Sequence, residues 1–339
     1  MLDLRPLRHF IAVADTLHFG RAAERLGMTQ PPLSQSILAL ERAVGAPLFV
    51  RSKRSVALTP FGRQWLAHVR PAVEGIDALP TLAQRLQTGL LGRLSLAFVS
   101  TADYSLLPRL VQHYSAAFPD VELELVEATS DIQVAALVAG EIDAGIVISA
   151  RATLPSALDY RPLLREPLVA AVPESWIADG LLDVAGAGGG TSAKDKDGSG
   201  ADDRAARVIA PGGGGGGGDG GGEALLLHGD GWMTRPLIIF PARVSPDFHE
   251  LVLGYYRSRG HEPVIRQEAI QMQTIISLVS AGLGMALVPA SLRHLARTGV
   301  RYIAFAEGAP ELETGLAWRR EDDAPTVAAL VAIAMGLEG

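Results

Sequence analysis

The stretch from Phe19 to Val50, FGRAAERLGMTQPPLSQSILALERAVGAPLFV, constrains the fold of this chain more than any other. Arg21 to Leu26 follow a short helical pattern that ends at Gly27, a residue suited to a tight turn. Thr29 then sits where an N-cap belongs, and Pro31 and Pro32 fit a helix's first turn, where missing N–H groups cost little. Leu33, Ile37, Leu40 and Val44 recur at spacings of 4, 3 and 4, one face of a helix. Ser34, Gln35, Ser36 and Arg42 fall on the other face. Two helices joined by a glycine turn, the second with a small polar outer face, predict a helix-turn-helix whose second helix can enter a DNA major groove. An ordinary helical hairpin would share the pattern, so the flanking sequence has to decide.

Charge is one such flank. Residues 1–65 hold nine Arg and Lys against four acids, a net +5, although the 339-residue chain carries −7; the remainder is therefore at −12. A basic head on an acidic body suits a polyanion partner for the head alone. The chain has no cysteine, which excludes disulfides and thiolate metal sites. Its start, MLDLRPLRHF, lacks the apolar run of a secretory signal, and no stretch approaches a membrane span, so a cytoplasmic protein with no membrane partner is expected.

Leu4, Leu7, Phe10, Ile11, Ala14 and Leu17 predict an amphipathic helix packed behind the hairpin. After Gly45-Ala46-Pro47, LFVR and SVALT read as two short strands around Ser52-Lys53-Arg54. This is a basic wing whose tip can reach phosphates or the minor groove. Thr59-Pro60 opens the next helix. Its apolar residues recur at intervals of three or four from Trp65 to Leu90, with Pro71 and Pro80 positioned to kink or interrupt it. A stripe that long exceeds what a small head can cover, so a dimerisation helix is expected.

From Gly92 onward, strand and helix patterns alternate, which predicts a parallel sheet with helices on its faces, arranged as two small α/β lobes. Residues 186–222 interrupt the alternation with 16 of the 37 glycines, seven consecutive from Gly212 to Gly218. Such a segment buries too little surface to offset its ordering entropy, so a mobile surface insertion is expected.

No catalytic constellation is visible: the eight histidines are scattered, and HExxH, GxSxG and P-loop motifs are missing. The informative positions follow strands. Ser100-Thr101 and Thr129-Ser130 stand just past two predicted strands, where open α/β sheets bind ligands, and hydroxyls beside free helix N–H groups make an anion site. Helix capping alone is the competing reading of each pair. Ser245-Pro246-Asp247-Phe248 opens a later helix, with Phe248 either core or an apolar wall for a ligand.

The run AAERLGMTQPPLSQSILALERAVGAPLFVR, followed by ALTPFG, closely resembles the head of the LysR-type transcriptional regulators, and SLVSAGLGMALVPASL (Ser277 to Leu292) resembles their effector domain. The resemblance spans the chain except about 183–234, and is strongest to the branch that senses aromatic-catabolism intermediates. It implies an α/β protein with an α-rich N-terminal winged helix-turn-helix and an effector domain of two Rossmann-like, periplasmic-binding-protein-like lobes. The expected boundaries are 1–59 for the DNA-binding domain, 60–91 for the linker and dimerisation helix, 92–164 for the first lobe, 165–267 for the second with a Gly-rich disordered insertion over about 183–234, and 268–339 for the return to the first and the C-terminal helix.

Groove-facing positions of the family match Gln30, Pro31, Pro32, Ser34, Gln35 and Leu38, and Arg51, Lys53 and Arg54 would bind phosphate or the minor groove. The resemblance implies that a small carboxylate is held at Thr101 and Ser130, neighboured by Ser100 and Thr129, with Pro246 and Phe248 behind it. The expected partners are double-stranded promoter DNA, a small aromatic or dicarboxylic acid effector, RNA polymerase, and other copies of the chain as homodimers pairing into a homotetramer. No cofactor, metal or enzymatic activity is expected. A solute-binding or enzymatic body tethered to DNA, and a DNA binder without a ligand, stay open beside this reading.

Overall fold

The computed structural model describes residues 3–52, 55–149, 153–186 and 225–337. They fall into two compact units, Met1–Thr88 and Gly89–Gly339.

The first unit orders α1 (Leu4–Thr16), α2 (Phe19–Arg25), α3 (Gln30–Val44), β1 (Phe49–Arg51), β2 (Val56–Leu58) and α4 (Pro60–Gln87). Phe10, Phe19, Leu33, Ile37, Leu40, Leu48 and Phe49 share one core, with Phe10 edge-on to Phe49 at 5.5 Å between ring centroids. Gly27 supplies the turn with φ +65°. The Oγ1 of Thr59 accepts from Gly62 N and donates to Pro47 O, both at 2.8 Å, and so fixes the start of α4 against the strand before it. Gly62 is required there, because a Cβ would stand 2.3 Å from Leu48 O.

Two expectations change. Thr29 holds the N-cap position of α3 but makes no capping hydrogen bond with its side chain. Pro71 and Pro80 do not interrupt α4, which runs unbroken over 28 residues. Only its first half packs in the core, through Val69 and Val73; Ile76, Leu79, Leu82 and Leu86 are exposed.

The second unit begins with β3 (Gly92–Phe98), α5 (Leu107–Ala117), β4 (Val121–Glu127), α6 (Ser130–Ala139), β5 (Ala144–Ile148) and the 16-residue β6 (Leu158–Pro173). It continues through α7 (Glu174–Ala178), β7 (Val184–Gly186), β8 (Leu225–Leu227), β9 (Pro236–Ile239), α8 (Pro246–Ser258) and β10 (Val264–Glu268). It closes with α9 (Met272–Ser280), β11 (Ala286–Pro289), β12 (Val300–Phe305), β13 (Glu311–Arg319) and α10 (Pro325–Gly336).

The main sheet runs β4-β3-β5-β13-β6-β12-β8-β7, with β11 also on β6. It is mixed rather than parallel. β3, β4 and β5 are parallel, but β13 lies antiparallel to both β5 and β6. Strand β6 serves two halves of the body. Up to Pro167 it pairs with β13, and from Leu168 it pairs with β11 and β12. The segment expected to return to the first half at 268 therefore stays with the second through Phe305. β9 and β10 form a parallel pair, and Leu237 bridges Met285 ahead of β11. Long-range pairing of this kind leaves no mark in local periodicity.

The glycine-rich segment also differs at its edges. Residues 187–224 lie outside the described residues, but β7 and β8, which flank them, pair antiparallel with Gly186 opposite Leu225. Trp232 and Met233, expected inside the insertion, are core residues, and Trp232 stands edge-on to Tyr256 and tilted against Phe305.

Candidate functional sites

Helix α3 turns Leu33, Ile37 and Leu40 inward. The 3.6-residue period then leaves Gln30, Pro31, Pro32, Gln35, Leu38 and Arg42 exposed and Ser34 half-buried on the outer face. A helix with a firmly packed rear and this front can present amide and hydroxyl groups to base edges. His18, which the sequence did not single out, caps α2 by accepting from Arg21 N at 3.2 Å. Arg51 is engaged within the domain. Its guanidinium is 3.0 Å from Glu41 and lies over the Phe19 ring at 4.8 Å, while Glu41 also accepts from Leu48 N and Phe49 N. Lys53 and Arg54 lie outside the described residues.

In the second unit, the carboxyl ends of β3, β4 and β5 face a cavity of about 250 Å³. Ser100, Thr101, Thr129 and Ser130 all line it. Ser100 and Thr101 open the short 3-10 turn after β3, and Ser130 is the first residue of α6. Ser130 Oγ accepts from Ile148 N at 3.1 Å, which ties the end of β5 to α6 and leaves the Ser130 proton free for a ligand. Thr129 Oγ1 donates to Asp131. The hydroxyl of Thr101 is buried and has no hydrogen-bond partner. A buried polar group without a partner is costly, so this one is poised for a guest.

The far wall is not the expected one. Pro246 is exposed in the first turn of α8 and does not line the cavity. Phe248 is fully buried and stands edge-on behind Phe240, 5.4 Å between centroids; Phe240, Val244 and Ser245 form the wall itself. Glu127, Ile132, Ile270 and Gln271 complete the lining and were missed. Glu127 is the last residue of β4, so the strand-end rule that found Thr129 reaches it as well. Ile270 and Gln271 precede α9 and carried no comparable signal. No cluster of three metal-ligating side chains occurs among the described residues, and no helix among them is long and apolar enough to cross a membrane.

A winged helix-turn-helix followed by a two-lobed α/β body defines a DNA-binding transcriptional regulator. Residues 4–63 match the bacterial regulatory helix-turn-helix protein model of the lysR family, and residues 87–185 and 232–336 match the LysR substrate binding domain. The chain belongs to the LysR family. It is 55% identical over 97% of its length to the HTH-type transcriptional regulator IlvR of Caulobacter vibrioides, covering 96% of that protein. It is 32% identical to the HTH-type transcriptional regulator AlsR of Bacillus subtilis, over 96% of this chain and 93% of that one. Full-length CbnR crystallised with its target DNA shares the fold, with a TM-score of 0.76 at 23% identity and complete coverage of both chains.

Proposed function

We propose that this regulator responds to a small organic acid bound between its α/β lobes. The observation that carries the reading is the buried, unpartnered Thr101 hydroxyl beside the N-terminus of α6. There the helix dipole and free N–H groups favour a carboxylate. Closure of the lobes on the acid changes the angle between them and so the shape of the DNA-bound assembly. The effector is a carboxylate held by Thr101 and Ser130, with Ser100 and Thr129 beside them.

On the DNA side, Gln30, Pro31, Pro32, Ser34, Gln35 and Leu38 face the major groove of an interrupted palindrome. The wing residues Lys53 and Arg54 add phosphate or minor-groove contacts. The exposed stripe Ile76, Leu79, Leu82 and Leu86 supports pairing of α4 with its copy, and dimers pair into a tetramer that acts near RNA polymerase. Domain boundaries follow as head to Thr59, linker helix from Pro60, and a body whose lobes meet along β6. A library of carboxylic acids screened by thermal shift tests the effector reading, and loss of every hit in Thr101→Val is the expected result. Hits that survive Thr101→Val unchanged would refute it.

A further inference from the structure

The charges around the cleft narrow the class of acid. Among the described residues lining the cavity, Glu127 is the only charged side chain. It has no ion-pair or hydrogen-bond partner among the described residues. Asp103 sits on the same 3-10 turn as Thr101. Its carboxyl is held above the usual range, chiefly by burial and additionally by the negative charge of Glu127. A lining carboxylate with no cation among the described lining residues, and with the carboxyl of Asp103 adding to the same negative field, is stabilised by a positive charge brought from outside. A dicarboxylate would instead add negative charge at the same place. In the same lining, Thr101, Ser130 and the start of the ten-residue α6 offer donors to one carboxylate. The remaining surface is apolar, from Val99, Ile132, Ile148, Phe240, Val244 and Ile270. The cavity volume of about 250 Å³ admits only a small molecule.

Building on the carboxylate reading above, we infer that the effector is a small zwitterion, an α-amino acid with an aliphatic or aromatic side chain. Its carboxylate sits on Thr101, Ser130 and the α6 N-terminus, its ammonium faces Glu127, and its side chain lies along the apolar wall. Glu127 thereby selects an amino acid over the matching oxo acid.

Calorimetry and thermal shift on the full chain test this. The probes are the apolar amino acids, the 2-oxo acids of leucine and phenylalanine, and 3-methylbutylamine. The expected result is that an amino acid binds at least tenfold more tightly than its oxo acid. Glu127→Gln should erase most of that preference without lowering the ligand-free Tm. Oxo acids that bind as tightly as the amino acids, or no shift from any apolar amino acid at millimolar concentration, would overturn the zwitterion. Oxo-acid binding that still depends on Thr101 would leave the carboxylate reading standing. Binding of the amine alone, insensitive to Thr101→Val, would sink both.

Discussion

His9 Nδ1 lies 2.8 Å from Ser36 Oγ, so Ser36, expected on the outer face of α3, instead ties that helix to the buried face of α1. Burial, assisted by the positive charge of Arg5, holds the His9 pKa below its usual value. The folded head therefore favours neutral His9, whereas the unfolded chain takes up the proton more readily. Stability from this group is fully present above the ordinary histidine pKa of about 6.5 and is lost as pH falls below it toward the depressed folded value. Melting temperature should drop on acidification from pH 7 to 5, and less steeply in His9→Gln. Equal slopes for the two proteins would remove His9 as the cause.

Base choice should rest on the front of α3. Gln35→Ala is expected to relax preference at one base pair, a loss of about 1–3 kcal/mol of discrimination. Arg54→Ala should weaken all sequences alike and shallow the salt dependence by roughly one phosphate contact. Gel-shift titrations against operator variants at several salt concentrations separate the two effects.

The two cleft hydroxyls should behave oppositely when no ligand is present. Thr101→Val replaces an unpartnered hydroxyl with a methyl of similar shape, so the empty protein should keep or slightly raise its Tm. Ser130→Ala strips Ile148 N–H of its acceptor and should cost about 1–3 kcal/mol in denaturant unfolding. A neutral Ser130→Ala would show that the bond to β5 contributes nothing.

Exposed leucines on α4 set the expected oligomer. Charges placed by Leu79→Glu with Leu82→Glu should shift the chain toward monomer in sedimentation velocity while leaving the α4 start, capped by Thr59, intact. An unchanged mass would move the dimer contact elsewhere.

Because Gly186 pairs directly with Leu225, residues 187–224 enter and leave at adjacent points of one ladder. Replacing them with Asn-Gly should close β7 and β8 as a hairpin and leave Tm and DNA affinity essentially unchanged. Collapse of the deleted protein would assign those residues a structural role.

The head was legible almost residue by residue. A glycine turn, two prolines and a run of inward leucines are local signals, and local contacts built that domain. His18 escaped notice because histidine is an uncommon cap, and Arg51 because nothing in its neighbourhood announced the ion pair with Glu41 ten residues away. In the body, alternation located most strands but left their partners undetermined, so β13 antiparallel between β5 and β6 was invisible. The strand-end rule reached the hydroxyl pairs after β3 and β4, which line the cavity, because it depends only on position. Phe248 stayed open between core and cavity wall, since periodicity cannot separate a residue that touches a ligand from the one supporting it; it lies in the core behind Phe240. Composition bounded the glycine-rich segment at 186–222, but the gap in the family resemblance extended the insertion to about 234, over Trp232 and Met233, which tertiary packing claims.

Strand β6 changes partners within one peptide step, from Pro167 opposite Glu311 to Leu168 opposite Pro289, while Leu168 N donates to Pro310 O at 2.8 Å. Both chain crossings at 167–168 and 306–310 thus lie side by side, like the two pins of a door. Any swing of one half against the other is confined to an axis through that pair, so a stiffer or looser residue at 167 or 310 would tune the swing without touching either the cavity or the DNA.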